Sequence, residues 1–195
     1  MRRTGLLGGT FDPIHYGHLL AAEAAREAAG LAEVWFIPTF VPPHKSKPDT
    51  DVKMRLGMLE AALAQIPGFR VEPIELARQG VSYTIDTVNA LAALHPDRAF
   101  YWIVGSDMVN DLPNWREPEA LAERVTFIGL ERPEAPIDET ALPAYIRRKL
   151  MRAVMPQIGL SSTDIRKRCK EGRSIRFMTP DPVIAWIRRH SVYEA

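Results

Sequence analysis

Short apolar runs alternate with helical stretches through the first two-thirds of the chain, and that alternation restricts the fold more than any single motif. Thr4–Leu7, Val34–Pro38, Arg70–Leu76, Phe100–Val104 and Val125–Leu130 read as strands. Between them lie helical patterns: His18–Ala29, stopped by Gly30; Val52–Gln65, stopped by Pro67 and Gly68; and Thr84–Leu94, stopped by Pro96. Strand–helix–strand units close by right-handed crossovers, so their repetition implies a parallel sheet. Runs that are apolar almost throughout, rather than alternating, fit strands buried on both faces. The expected fold is α/β: a Rossmann-like, doubly wound parallel sheet with helices on both faces.

The last third changes character. "PEAPIDETALP" (Pro133–Pro143) reads as a loop, followed by helical stretches at Tyr145–Met155, Thr163–Glu171 and Pro182–His190. Asp181 before Pro182 makes a cap-then-first-turn start for the last of these. The 195 residues hold no repeat, low-complexity tract or long linker. One domain is expected, with an α/β core over 1–132 and a small, mostly helical C-terminal part over 133–195.

Composition removes several function classes. Lys plus Arg (25) nearly balance Asp plus Glu (24), so no global field argues for nucleic acid or an anionic membrane. No apolar run is long enough to cross a bilayer, and the one after Arg2 and Arg3 stops at Gly8, too soon for a signal peptide. The single cysteine, Cys169, excludes an intramolecular disulfide and fits a reducing cytoplasm.

In open parallel sheets ligands sit beyond the carboxyl ends of the strands, and the unusual segments lie there. After the first strand comes "GGTFDPIHYGH" (Gly8–His18). Gly8, Gly9 and Thr10 permit a tight turn and a close backbone approach. The helix that follows offers free N–H groups and its positive dipole end to an anion. His15 and His18, three apart, share a helical face with Gly17 leaving room between them. His44 and Lys45 lie in "PTFVPPHKSKP" after the second strand, and Gly105 and Asp107 in "GSD" after the fourth. "LSSTDIRKR" sets Ser161, Ser162 and Thr163 before a helix with Arg166 one turn in: an ordinary cap, or a second phosphate cradle of hydroxyls, amides and a guanidinium. Two such helix starts suit a triphosphate. His95 and His190 are explained by placement at helix C-termini.

"GGTFDPIHYGH" together with "SSTDIR" resembles the nucleotidyltransferase superfamily, with its HxGH and SSTxIR motifs. "VWFIPTFVPPHK", "GVSYTIDTV", "IVGSDMVNDLPNWREPEAL" and "FIGLERP" are similar to bacterial nicotinate-nucleotide adenylyltransferases, in the family's order and over nearly the whole chain. The resemblance implies that nicotinate mononucleotide and ATP give nicotinate adenine dinucleotide (deamido-NAD) and pyrophosphate, with Mg²⁺ on the ATP phosphates rather than on protein ligands. It implies His15, His18, Lys45 and Arg166 as the groups that align and stabilise the reacting phosphates. ATP would be held by Gly8, Gly9, Thr10, Phe11, Asp12, His15, His18, Gly105, Asp107, Arg132, Ser161, Ser162, Thr163, Ile165 and Arg166. The mononucleotide would meet His44, Lys45, Thr84, Trp115 and Arg116, its pyridine ring stacking on Trp115. Arg116 stands where relatives often carry an aromatic, and Leu160 where Ile or Val is usual.

The partners implied are small molecules, not nucleic acid or membrane, and a homo-oligomer is compatible with this reading. Pantetheine-phosphate adenylyltransferase and other members of the superfamily share HxGH but should lack "PPHK" and Trp115. A non-catalytic nucleotide-binding protein on this fold would not need His15, His18 and Arg166 together.

Overall fold

The order in which the strands pair decides where a ligand can enter. In the computed structural model, which describes residues 1–43, 48, 50–131 and 136–194, six strands form one sheet in the order β3-β2-β1-β4-β5-β6. They are β1 (Arg2–Gly9), β2 (Glu33–Pro38), β3 (Phe69–Val71), β4 (Arg98–Gly105), β5 (Val125–Glu131) and β6 (Leu150–Val154). Every pairing is parallel. The chain builds outward from β1 through β2 to β3, then returns to the other side of β1 as β4. That reversal opens a crevice above the carboxyl ends of β1 and β4.

The helices among the described residues are α1 (Tyr16–Ala29), α2 (Val52–Leu63), α3 (Ile74–Arg78), α4 (Thr84–Leu94), α5 (Ser106–Asp111), α6 (Pro118–Arg124), α7 (Ala144–Arg147), α8 (Ser162–Lys170) and α9 (Asp181–Arg189). Leu6 and Leu7, adjacent on β1, point to opposite faces and enter separate cores. One core joins Leu7, Phe36 and Ile128 to α1, α2, α8 and α9; the other joins Leu6, Trp35 and Phe127 to α4, α6 and α7. On α1 the buried residues Ala22, Ala25 and Ala29 are all small, which lets the helix lie close to the sheet. Gly30 ends it in the left-handed conformation (φ 57°), where Leu31 N–H reaches back to Arg26 O at 2.9 Å.

The expected doubly wound parallel sheet is present, with local corrections. The run Arg70–Leu76 is not one strand: β3 ends at Val71 and α3 begins after Pro73. Proline has no N–H for the ladder, and its fixed φ suits a helix start. The helix expected over Tyr145–Met155 is confined to α7, and Leu150–Val154 instead becomes β6. Pairing there also satisfies backbone groups on the otherwise open edge of β5: Phe127 N–H meets Lys149 O at 2.7 Å where the new strand begins. The C-terminal part therefore contributes a strand to the sheet. Helix α1 begins at Tyr16 rather than His18, and Pro180, not Asp181, stands before α9.

Candidate active site

A cleft of about 1890 Å³ lies over the carboxyl ends of the strands, lined by residues from the β1–α1 turn, α4, Trp115, the segment before α8 and the C-terminal tail. Single small-ligand pockets run to roughly 300–1,000 Å³, so this one has room for two substrates together.

The floor is the turn after β1. His15 is extended (φ −147°, ψ 170°) and is the N-cap of α1, not a residue within it. Its carbonyl accepts from His18 N–H at 2.9 Å, and its own N–H donates to His18 Nδ1 at 3.2 Å. Because His18 Nδ1 accepts, the neutral ring carries its proton on Nε2, leaving that atom as the donor. The two imidazoles stack at 3.8 Å between centroids, tilted by 23°, and the Phe11 ring meets His18 edge-on at 5.1 Å. Gly17 permits the stack, since a Cβ there would lie 3.0 Å from the His15 ring. His15 is buried, its Nδ1 finds no hydrogen bond among the described residues, and burial pushes its pKa down to about 4. At neutral pH it is an uncharged hydrogen-bonding group.

Facing this floor is α8. Ser161 caps it by accepting from Asp164 N–H at 3.1 Å, and Ser162 Oγ donates to Pro13 O at 2.9 Å. Arg166 Nη1 donates to Asp12 O at 2.7 Å, and Arg166 Nη2 lies 3.4 Å from Thr163 Oγ1. The guanidinium therefore lines the cleft already oriented, beside the Asp12 carboxylate at 4.0 Å. Gly8, Gly9, Thr10, Asp12, His15, His18, Gly105, Ser161, Ser162, Thr163 and Arg166 all line the one cleft.

The same cleft is also lined by Thr84, at the N-terminus of α4, and by Trp115, which closes a single 3-10 turn over Leu112–Asn114. Trp115 Nε1 is buried without a partner among the described residues. Arg116 does not reach across the cleft floor. Its guanidinium lies over the Tyr83 ring at 4.6 Å and pairs with Glu117 at 3.6 Å. Beneath it Glu75 is buried, with Oε1 accepting from Thr87 Oγ1 at 2.8 Å, and burial raises its carboxyl pKa.

Three expected ATP contacts are placed elsewhere. The Phe11 and Ile165 side chains belong to the core, and Asp107 sits exposed on α5 while Gly105 and Met108 line the cleft. His44, Lys45 and Arg132 lie outside the described residues. Other groups were not anticipated. Tyr193 Oη donates to Asp12 Oδ1 at 2.6 Å, Thr179 Oγ1 donates to Ile14 O at 2.7 Å, and His190, which caps α9, lines the cleft. Arg55, on α2, donates to Thr10 O at 2.8 Å and Thr39 O at 2.9 Å. A charged residue in the apolar pattern of "VKMRLGMLEAAL" was the one local sign of it. Among the described residues no group of three or more His, Cys, Asp or Glu side chains is placed to hold a metal ion, and no helix is long and apolar enough to cross a membrane.

The cytidylyltransferase-like family model matches residues 6–168. A probable nicotinate-nucleotide adenylyltransferase of Geobacillus thermodenitrificans is 44% identical over 196 residues, covering 100% of this chain and 88% of the relative. One from Oceanobacillus iheyensis is 44% identical over 193 residues, covering 99% and 97%. Among solved structures, Plasmodium falciparum nicotinic acid mononucleotide adenylyltransferase complexed with NaAD superposes with a TM-score of 0.82 at 24% identity, covering 99% of this chain and 98% of that one. That likeness speaks to the fold.

Proposed function

Since the chain belongs to the bacterial nicotinate-nucleotide adenylyltransferase family, we propose that it transfers the adenylyl group of ATP to nicotinate mononucleotide, giving nicotinate adenine dinucleotide and pyrophosphate in NAD biosynthesis. The observation that carries this reading is one cleft lined both by the stacked His15–His18 pair with Arg166 and by Thr84 with Trp115.

The mononucleotide phosphate is the nucleophile. Its second pKa is near ~6, so it arrives ionised and no general base is required. An oxygen of that phosphate attacks the α-phosphorus of ATP in line, a new phosphorus–oxygen bond forms, and the bond to the pyrophosphate oxygen breaks. Charge builds on the departing pyrophosphate. His18 Nε2–H and the neutral His15 ring are uncharged groups set at a helix N-terminus, able to hydrogen-bond that charge without first having to reorganise. Arg166, Ser161, Ser162 and Thr163 hold the β- and γ-phosphates from the other side.

At the pyridine end, Trp115 stacks on the ring, and the Thr84 end of α4 offers N–H groups and a positive dipole end to the carboxylate.

Mg²⁺, when bound with ATP, would neutralise phosphate charge, and its reluctance to dehydrate suits it to the substrate phosphates rather than to protein ligands. Asp12, the carboxylate at that point of the cleft, is already engaged by Tyr193 and Arg166. The whole chain works as one nucleotidyltransferase unit, cytoplasmic, with small molecules as its partners. A side-by-side assay with nicotinate mononucleotide, nicotinamide mononucleotide and 4′-phosphopantetheine tests the reading. Pyrophosphate release fastest with the first supports it, and release fastest with either of the others refutes it.

A further inference from the structure

One buried carboxyl has no part in the reaction as described. Glu75, on α3, lines the cleft yet is only 3% exposed, and burial raises its pKa. A carboxyl withdrawn from water costs stability unless its oxygens are well partnered. Glu75 Oε1 accepts from Thr87 Oγ1 at 2.8 Å. Arg78, on the same helix as Glu75, sends its Nη2 to that Thr87 hydroxyl at 3.0 Å. The Ser82 and Thr39 hydroxyls are close enough to act against the rise in pKa, yet Glu75 Oε2 and Ser82 Oγ make no hydrogen bond among the described residues.

The segments around this carboxyl give it a use. Thr39 directly follows β2, Ser82 lies in the connection between α3 and α4, and Thr87 is in the first turn of α4. The connection is irregular: Gln79 (φ 59°) and Gly80 (φ 74°) are both left-handed, and Ser82 N–H reaches Val41 O at 3.0 Å. Helix α4 has no side-chain cap of its own, because Tyr83 at its N-cap makes no such bond. Its first turn is closed by Thr87 N–H on Tyr83 O at 3.2 Å, and that turn carries Thr84. Whatever fixes Thr87 therefore fixes the direction in which the turn presents its free N–H groups and dipole end. Thr87 is wholly buried and is held from α3 twice, by Glu75 and by Arg78.

We propose that Glu75 is a positioning residue for the mononucleotide: through Thr87 it holds the first turn of α4, and with it Thr84, in the orientation that receives the pyridine carboxylate. This rests on the adenylyl-transfer reading and concerns one of the two substrates. A tie that served stability alone would leave both KM values unchanged or disturb them together; a positioning tie separates them.

The test compares wild type, Glu75→Gln, Glu75→Leu, Thr87→Val and the double variant Glu75→Leu/Thr87→Val by steady-state kinetics, with each substrate varied in turn. Glu75→Leu and Thr87→Val should each raise the KM for nicotinate mononucleotide on the order of 10-fold, with the ATP KM and kcat within about twofold. The double variant should be no worse than the worse single one, because both substitutions delete the same tie. Glu75→Gln keeps an oxygen for the Thr87 hydroxyl and should recover most of the wild-type KM. If Glu75→Leu does not fold, Thr87→Val and Glu75→Gln decide: a raised mononucleotide KM in the first and a value close to wild type in the second support the proposal. A wild-type mononucleotide KM, or equal rises for both substrates, in whichever of Glu75→Leu and Thr87→Val folds overturns it, as does an additive double variant. Failure of the adenylyl-transfer reading shows in the wild type itself, which would turn over no nicotinate mononucleotide, and overturns both.

Discussion

The Tyr193 hydroxyl donates to Asp12 Oδ1 at 2.6 Å, joining residues 181 apart in sequence. The bond closes the C-terminal tail over the turn that carries His15, on the residue whose carbonyl also receives Arg166. Burial and the adjacent Asp12 carboxylate both push the Tyr193 hydroxyl pKa up, so it remains a donor across any working pH. Tyr193→Phe removes that donor and leaves a buried carboxylate short of a partner. The expected cost is about 1–3 kcal/mol of stability and a fall in kcat/KM for ATP, with mononucleotide KM little changed. Chemical denaturation and initial-rate kinetics read both; unchanged values would remove Tyr193 from the site.

His15 makes stability depend on pH with a definite sign. Its pKa falls from 6.5 to about 4 on folding. Between those values the unfolded chain binds more protons than the folded one, so stability rises with pH through that window. It is fully present above pH 6.5 and is lost as pH falls toward 4. The loss is at most about 3 kcal/mol. Unfolding curves at neutral pH and near pH ~4.5 should show a smaller loss for His15→Asn than for the wild type. Parallel losses would mean that His15 is not the group responsible.

Gly17 sets the spacing of the stacked histidines. Gly17→Ala places a Cβ 3.0 Å from two atoms of the His15 ring and must displace it. We expect kcat to fall by a few fold, since the His15 ring must give by a few tenths of an ångström in a geometry that positions reacting groups, with the helix intact by circular dichroism. His18→Ala, which deletes the Nε2 donor, should cost on the order of 10²-fold in kcat. If either variant retains full kcat, the pair is structural.

Trp115 belongs to one substrate. Trp115→Ala should raise the mononucleotide KM while leaving ATP binding near normal, because Trp115 lines the cleft from outside the β1–α1 turn and the α8 segment that carry His15, His18, Ser161 and Arg166. Separate titrations with ATP and with nicotinate mononucleotide distinguish the two. An equal loss of both would contradict the assignment.

What the sequence made legible follows the range of the interactions. HxGH and "SSTDIR" declared themselves because a cap and its first turn are local, and both now sit in one cleft. Five strands were readable from apolar runs, whereas β6 was not: its partner edge on β5 lies about twenty residues upstream, and its helical composition was overridden by pairing. Pro73, visible in the sequence, was the cue that should have split Arg70–Leu76. Tyr193, Thr179 and Arg55 were hidden for another reason. Their partners Asp12, Ile14 and Thr10 are 181, 165 and 45 residues away. Only the fold brings them to the turn after β1. The side chains of Phe11 and Ile165 lie inside motifs that read as ligand contacts, yet they pack into the core that holds those motifs in place.

The central claim is that the mononucleotide phosphate attacks the α-phosphorus of ATP in this cleft. Its most direct test is turnover with nicotinate mononucleotide whose phosphate oxygens carry a heavy-oxygen label, followed by mass analysis of both products. The account expects all of the label in nicotinate adenine dinucleotide and none in pyrophosphate. Label in pyrophosphate, or no dinucleotide at all, would contradict it.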